Sequence, residues 1–340
     1  MTGEEGRSCV FCGSSERLTR EHVLGNWLSK IGLANDPVEK FAGLHNRIPK
    51  SMGIGAPLQQ TVKNVCAACN NGWMSGLENH AKRVLTSLLL GESDEIRADD
   101  QGPVAMWLQK TAFMAMLLSS AEDREAGYGV PPSEYRLLYE QRNTFEPLGT
   151  SRFWVGRYVG ELGHGSVWVT PLSVGVAGHP ESDLPDGYSM TIVLGALLLH
   201  GVRFTHLPFP VDLATRHLLG DLWPAALDAG ASVAGEITED QFFALARGRA
   251  FVVSDENVTL RPWRPATELE ESSLIGSMIE MPTLCGKHVA YYPADLFFEA
   301  QQGRFYWFMT GCECGIGYLI HTEHDGAHTK AAETPEQIGA

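Results

Sequence analysis

The chain has 340 residues, 44% of them hydrophobic and 20% charged, an ordinary globular composition that excludes wholesale disorder. The formal net charge of -15 argues, taken whole, against a simple nucleic-acid-binding protein. The longest uncharged apolar run, Met190 to Val202, is too short for a membrane-spanning helix of roughly 20 residues.

Taken along the chain, the opening MTGEEGRS is acidic and lacks an apolar core, so no secretory signal is visible and the expected address is the cytoplasm, where disulfides are rare. Residues 1–90 hold ten Lys+Arg against seven Asp+Glu, a charge of +3; the rest holds 16 against 34, or -18. A slightly basic head on a strongly acidic body predicts two roles in one chain, and the length suits two domains.

Two C-x-x-C pairs follow, Cys9 with Cys12 and Cys66 with Cys69. Two intervening residues make a tight knuckle that aims both sulfurs at one ion. In a reducing compartment two such knuckles predict a four-thiolate zinc site. Between them lies "LTREHVLGNWL", in which a strand ends in Glu21 and His22. A long loop with "KSMGIGAPLQQ" leads to "QQTVKNV", read as a second strand containing Asn64. After the second knuckle, "CNNGWMSGLENHAKRVLTSLLL" reads as a helix. Trp73, Leu77, Val84 and Leu88 line one face, with Met74, Ala81 and Leu85 beside them. Asn70 or Asn71 is the expected cap.

His22 is the natural base near pH 7. Glu21 is anionic and suits a hard divalent cation such as Mg²⁺ or Mn²⁺.

The ordered pieces "CVFC", "REHV" and "KNVCAACNNGW" with the following helix resemble the HNH endonucleases, zinc-supported ββα-metal nucleases, in the variant with Asn in place of the last His. The resemblance covers residues 9 to about 90. It implies metal-dependent cleavage of DNA, a phosphodiester hydrolysis that needs an activated water and a cation to stabilise the charge that develops, with His22 as the base, Glu21 and Asn70 as ligands of the catalytic cation and Asn64 holding the loop that orients the base. Asn71 is the adjacent register. It also implies a setting in genome defence or mobile-element biology. His45 and His80 are nearby spare ligands, and Arg17, Arg20, Lys30, Arg47, Lys50, Lys63, Lys82 and Arg83 are candidate phosphate contacts.

Beyond the head, "GPVAMWLQKTAFMAMLLSS" reads as a buried helix. "SRFWVGRYVG" and "GSVWVTPLSVGV" read as strands, and "YSMTIVLGALLLHGVRFTHL" as one or two core strands. "TEDQFFALARG" carries Thr238 and Gln241 at capping-box spacing and Gly248 as a stop. In the tail, Cys285, His288, Cys312 and Cys314 are a candidate second zinc set, and His321, Glu323, His324 and His328 are assigned to a mobile end. The expected fold class is α+β: a small zinc-knuckle ββα-metal head, residues 1–92, then a larger mixed body with mostly antiparallel strands, residues 93–340, with a C-terminal subdomain over 283–325. The expected partner is DNA, with no membrane and an unidentified protein or ligand for the body. The alternative is a non-catalytic zinc-stabilised module that binds nucleic acid or protein.

Overall fold

The computed structural model describes residues 8–33, 36–42, 50–56, 58–160, 165–179, 182–205, 209–225, 230–233 and 235–263, and beyond these the backbone of five strands. Contacts divide the chain into two compact units, Met1–His45 with Ser51–Trp263, and Asn46–Lys50 with Arg264–Ala340. The boundary expected at residues 92–93 falls inside the first unit.

The first unit opens with the knuckle of Cys9 and Cys12. Strand β1 (Leu18–His22) follows, then a ribbon of β2 (Val38–Ala42) and β3 (Lys50–Gly55), and then β4 (Thr61–Cys66), which pairs antiparallel with β1. Helix begins immediately at α1 (Ala67–Cys69), passes through a π turn at Asn70–Met74 and continues as α2 (Ser75–Leu89). The expected Asn cap is therefore corrected. The N-cap position is Cys66, with no side-chain cap, because the second knuckle is itself wound into the first helical turn. Gly72 breaks the helical geometry inside the π turn. The expected apolar face is present: Met74, Leu77, Ala81, Leu85 and Leu88 are buried, and Trp73 and Val84 pack against the same core.

Next come β5 (Glu95–Ile96), α3 (Ala98–Met116), α4 (Ala121–Asp123) and α5 (Pro132–Glu140). The sheet strands are β6 (Ser151–Tyr158), β7 (Ser166–Val176), β8 (Gly187–Leu194) and β9 (Leu197–Phe204). The shorter elements are β10 (Asp212–Leu213), β11 (Gly220–Trp223), β12 (Ala231–Ser232), β13 (Glu236–Ile237), α6 (Glu239–Ala246), β14 (Phe251–Val252) and β15 (Val258–Pro262). Among the described residues a seven-stranded sheet runs in the order β11-β6-β9-β8-β7-β15, with β13 also on β6. These pairings are antiparallel except that of β13 with β6.

The apolar run from residue 188 resolves into two strands joined at Gly195, whose positive φ of 55° makes the reversal. Every residue of β8 and β9 is buried because the sheet is covered on both faces. Met190, Ile192 and Leu199 face a core shared with α3 and with the head's Phe11, Leu28 and Leu77. Val193, Leu198 and Val202 face a second core built on Phe242 and Leu245 of α6. The capping box of Thr238 and Gln241 is formed, and Gly248, at φ 66°, closes that helix. The mixed α+β class is thus realised. Among the described residues no helix is long and apolar enough to cross a membrane.

In the second unit, β16 (Met278–Pro282) pairs with β17 (Val289–Pro293), and β18 (Tyr306–Met309), β19 (Gly317–Glu323) and β20 (Gly326–Ala332) form an antiparallel sheet. Of the residues assigned to a mobile end, His321 and Glu323 lie on β19 and His328 on β20, opposite His321. Cys285, His288, Cys312, Cys314 and His324 lie outside the described residues, as does His45.

Candidate functional site: a four-cysteine cluster beside a strand-strand-helix unit

The two knuckles converge. One ligand atom from each of Cys9, Cys12, Cys66 and Cys69 lies within 4.8 Å of all the others, and the Cys12 and Cys66 sulfurs are 3.6 Å apart. A tetrahedron with metal–sulfur bonds of about 2.3 Å has edges of about 3.8 Å, so this spacing fits one four-thiolate ion. Local hydrogen bonds shape the first knuckle. Gly13 N donates to the Cys9 carbonyl at 2.9 Å, and Cys9 N to the Ser14 carbonyl at 2.8 Å. Gly13 has φ 74°, the conformation a glycine adopts freely. Val10 N then donates to the Asn64 carbonyl at 3.1 Å, fastening the knuckle to β4. A hydrogen bond with Cys69 pulls the Cys9 thiol down to about 4. The same bond pushes Cys69 up. The cluster can hold one metal ion.

Beside it, β1, β4 and the following helix make a strand-strand-helix unit. His22 ends β1 opposite Thr61, and Glu21 lies opposite Val62. Between Thr19 and Glu21 the register shifts: Thr19 pairs with Val65, so β4 carries one extra residue in the stretch of Lys63 and Asn64. Asn64 therefore sits at a bulge, and its backbone carbonyl ties strand to knuckle. Asn70 faces β1. Its Nδ2 donates to Thr19 Oγ1 at 3.0 Å and to the Arg20 carbonyl at 3.2 Å. The amide nitrogen is thus the committed end, and the oxygen is the end left for another partner. Asn71 is exposed.

His22 is half-buried. Burial holds its pKa below the ordinary value, with Lys110 pushing the same way and Glu78 opposing. Glu21 is largely buried, and that burial raises its carboxyl's pKa against the pull of Lys110. Lys110 of α3 is the residue that sequence reasoning missed. Its side chain is fully buried, with Nζ 2.6 Å from Glu78 Oε1 and 3.5 Å from Glu21 Oε1. Glu78 also accepts from the indole nitrogens of Trp27 at 2.6 Å and Trp107 at 2.9 Å. The signal was present: a lysine inside the apolar stretch "MWLQKTAFM" requires a buried counter-charge.

The remaining candidates are peripheral. His80 is exposed, with its ring 5.0 Å from that of Phe145. Arg17, Arg20, Lys30, Lys63, Lys82 and Arg83 are exposed, Arg83 being paired with Asp100. Arg47 lies outside the described residues, and of Lys50 only the backbone is described.

Comparison of the chain with family models, with curated proteins and with solved structures finds no match in any of the three.

Proposed function

We propose that the protein is a metal-dependent endonuclease of the HNH type that hydrolyses DNA phosphodiester bonds. One observation carries this reading. A four-cysteine cluster clamps a strand-strand-helix unit on which His22 ends one strand and Asn70 reaches back from the helix to that same strand. Zinc is the ion for the cluster, because four thiolates in tetrahedral spacing suit it and it has no redox chemistry of its own. Its role is structural, fixing β4 and the start of the helix relative to the first knuckle.

In the proposed reaction His22 takes the proton from the attacking water. It stands at the end of β1, half-open to solvent, where a substrate can approach. Glu21 and the free oxygen of Asn70 are the hard donors for a divalent cation, Mg²⁺ or Mn²⁺. When bound, that cation supplies charge stabilisation at the phosphate and the leaving oxygen. The bulge at Asn64 and its bond to Val10 hold the strand on which the base depends. A setting in genome defence or mobile elements belongs to the same reading.

A second reading has one observation in its favour. Lys110 stands 3.5 Å from Glu21, so the carboxylate already has a cation beside it. A head built this way would bind nucleic acid without cutting it. Incubating supercoiled plasmid with the purified protein separates the two. Nicking with Mg²⁺ or Mn²⁺ that stops with excess chelator supports the nuclease. Retarded but intact plasmid at every cation concentration favours the binding module.

A further inference from the structure

The two carboxylates around Lys110 are not equivalent. Glu78 accepts three hydrogen bonds, from Lys110, Trp27 and Trp107, all at 2.6–2.9 Å. Glu21 has one longer contact with the ammonium, at 3.5 Å; the two side chains are similarly exposed, at 11% for Glu21 and 15% for Glu78, so the difference between them lies in their hydrogen bonds. Glu78 is therefore the lysine's principal partner, and Glu21 is the carboxylate with an edge still open. The backbone makes room for this. A Cβ on Gly25 would lie 2.2 Å from Glu78 Oε2 and 2.4 Å from Trp27 Nε1, so only glycine lets the carboxylate and the indole meet there.

A cation that approaches the open edge of Glu21 meets two opposing fields: two carboxylates that attract it and one buried ammonium that repels it. Because the Lys110 side chain is fully buried, its field is weakly screened. We infer that Lys110 is a positioning residue that serves as the resident counter-cation of Glu21 and, balanced by Glu78, sets how tightly Glu21 takes a divalent cation. The body thereby contributes a residue to the candidate site of the head. The inference rests on the reading of Glu21 as a cation ligand.

The test uses the full-length, zinc-loaded protein and Mn²⁺ alone as probe, with free Mn²⁺ followed by electron paramagnetic resonance. Lys110→Met removes the repelling charge, and the Mn²⁺ Kd is expected to fall at least tenfold. Glu78→Gln leaves Lys110 with Glu21 as its only carboxylate, and the Kd is expected to rise at least threefold. A merely structural role would weaken binding in both variants, so opposite signs are the signature. If Lys110→Met does not fold, Lys110→Met/Glu78→Gln replaces the buried pair with neutral groups of similar size, which buried sites commonly tolerate. Tighter Mn²⁺ binding than wild type by that double variant supports the inference, and equal or weaker binding overturns it. Adding Glu21→Gln to whichever lysine variant folds should abolish the gain; tight binding that survives places the ion elsewhere and overturns the inference. The titration needs no DNA. Opposite signs with uncut plasmid leave the inference standing and remove the nuclease, whereas active nicking without the sign pattern removes the inference alone.

Discussion

At the residue scale, the chemistry turns on side chains with two obligations. Asn70 is a proposed ligand through its oxygen, yet its nitrogen already joins the helix to β1. Asn70→Ala should therefore cost stability as well as activity, by about 1–2 kcal/mol for two lost hydrogen bonds. Urea unfolding at fixed zinc would measure this, and an unchanged midpoint would mean the amide only faces the ion. His200 gives a sharper case away from the site. It is fully buried, with Nδ1 2.9 Å from Thr191 Oγ1, its ring stacked on Trp154 and Phe251 beyond it, and Nε2 has no hydrogen-bond partner. Burial pushes its pKa down to about 3. The unfolded chain binds this proton near the ordinary value of about 6.5, while the folded chain refuses it until about 3. The contribution is complete above the unfolded value and is lost as pH falls through that window. The part lost by pH 5 should amount to about 2 kcal/mol. Stability measured from pH 7 to pH 5 should decline steeply in wild type and less steeply in His200→Phe. Equal slopes would show that other groups govern acid sensitivity.

At the scale of elements, the sequence carried most of what is local. Strands β6 to β9 were legible because aromatic and β-branched residues fill them, and α6 because its cap residues stand at fixed spacing. Helix α2 was legible from its apolar face. Its start was misplaced because Asn70 serves both as a favoured cap type and as a bridge to β1, and only the folded contact separates these roles. Helix α5 was missed. It has nine residues, and the Pro131-Pro132 pair that opens it reads as a turn, although proline at the first helical position is well tolerated. The β2–β3 ribbon lay inside what read as loop. The four cysteines were legible because metal spacing is written in the sequence; the Glu21–Lys110–Glu78 set was not, because it exists only where α2 packs on α3. That junction makes a prediction of its own. Gly25→Ala would drive a methyl group into Glu78 and Trp27, and should destabilise the protein by more than about 2 kcal/mol. A melting temperature equal to wild type would mean the loop shifts at little cost.

At the scale of the whole molecule, head and body share one core. Phe11, Leu28, Leu77 and Leu85 belong to the same buried cluster as Phe113, Met190 and Ile192. A fragment of residues 1–92 should therefore show no cooperative unfolding transition even with zinc, whereas residues 1–263, the bulk of the first compact unit, should retain one. A cooperative melt of the short fragment would restore an autonomous head.

The central claim is that His22, held by a zinc-clamped strand-strand-helix unit, is the base of a cation-dependent DNA cleavage. The most direct measurement is the rate of plasmid nicking by wild type and His22→Ala side by side, with zinc content and circular dichroism recorded on the same preparations. The account predicts at least one zinc per chain, at equal content, and matching spectra in both proteins, with nicking that needs added Mg²⁺ or Mn²⁺ in wild type and falls at least a hundredfold in the variant, the low end of what a positioned base commonly contributes, about 10²–10⁴-fold. Equal nicking by the two proteins at equal zinc content would contradict it.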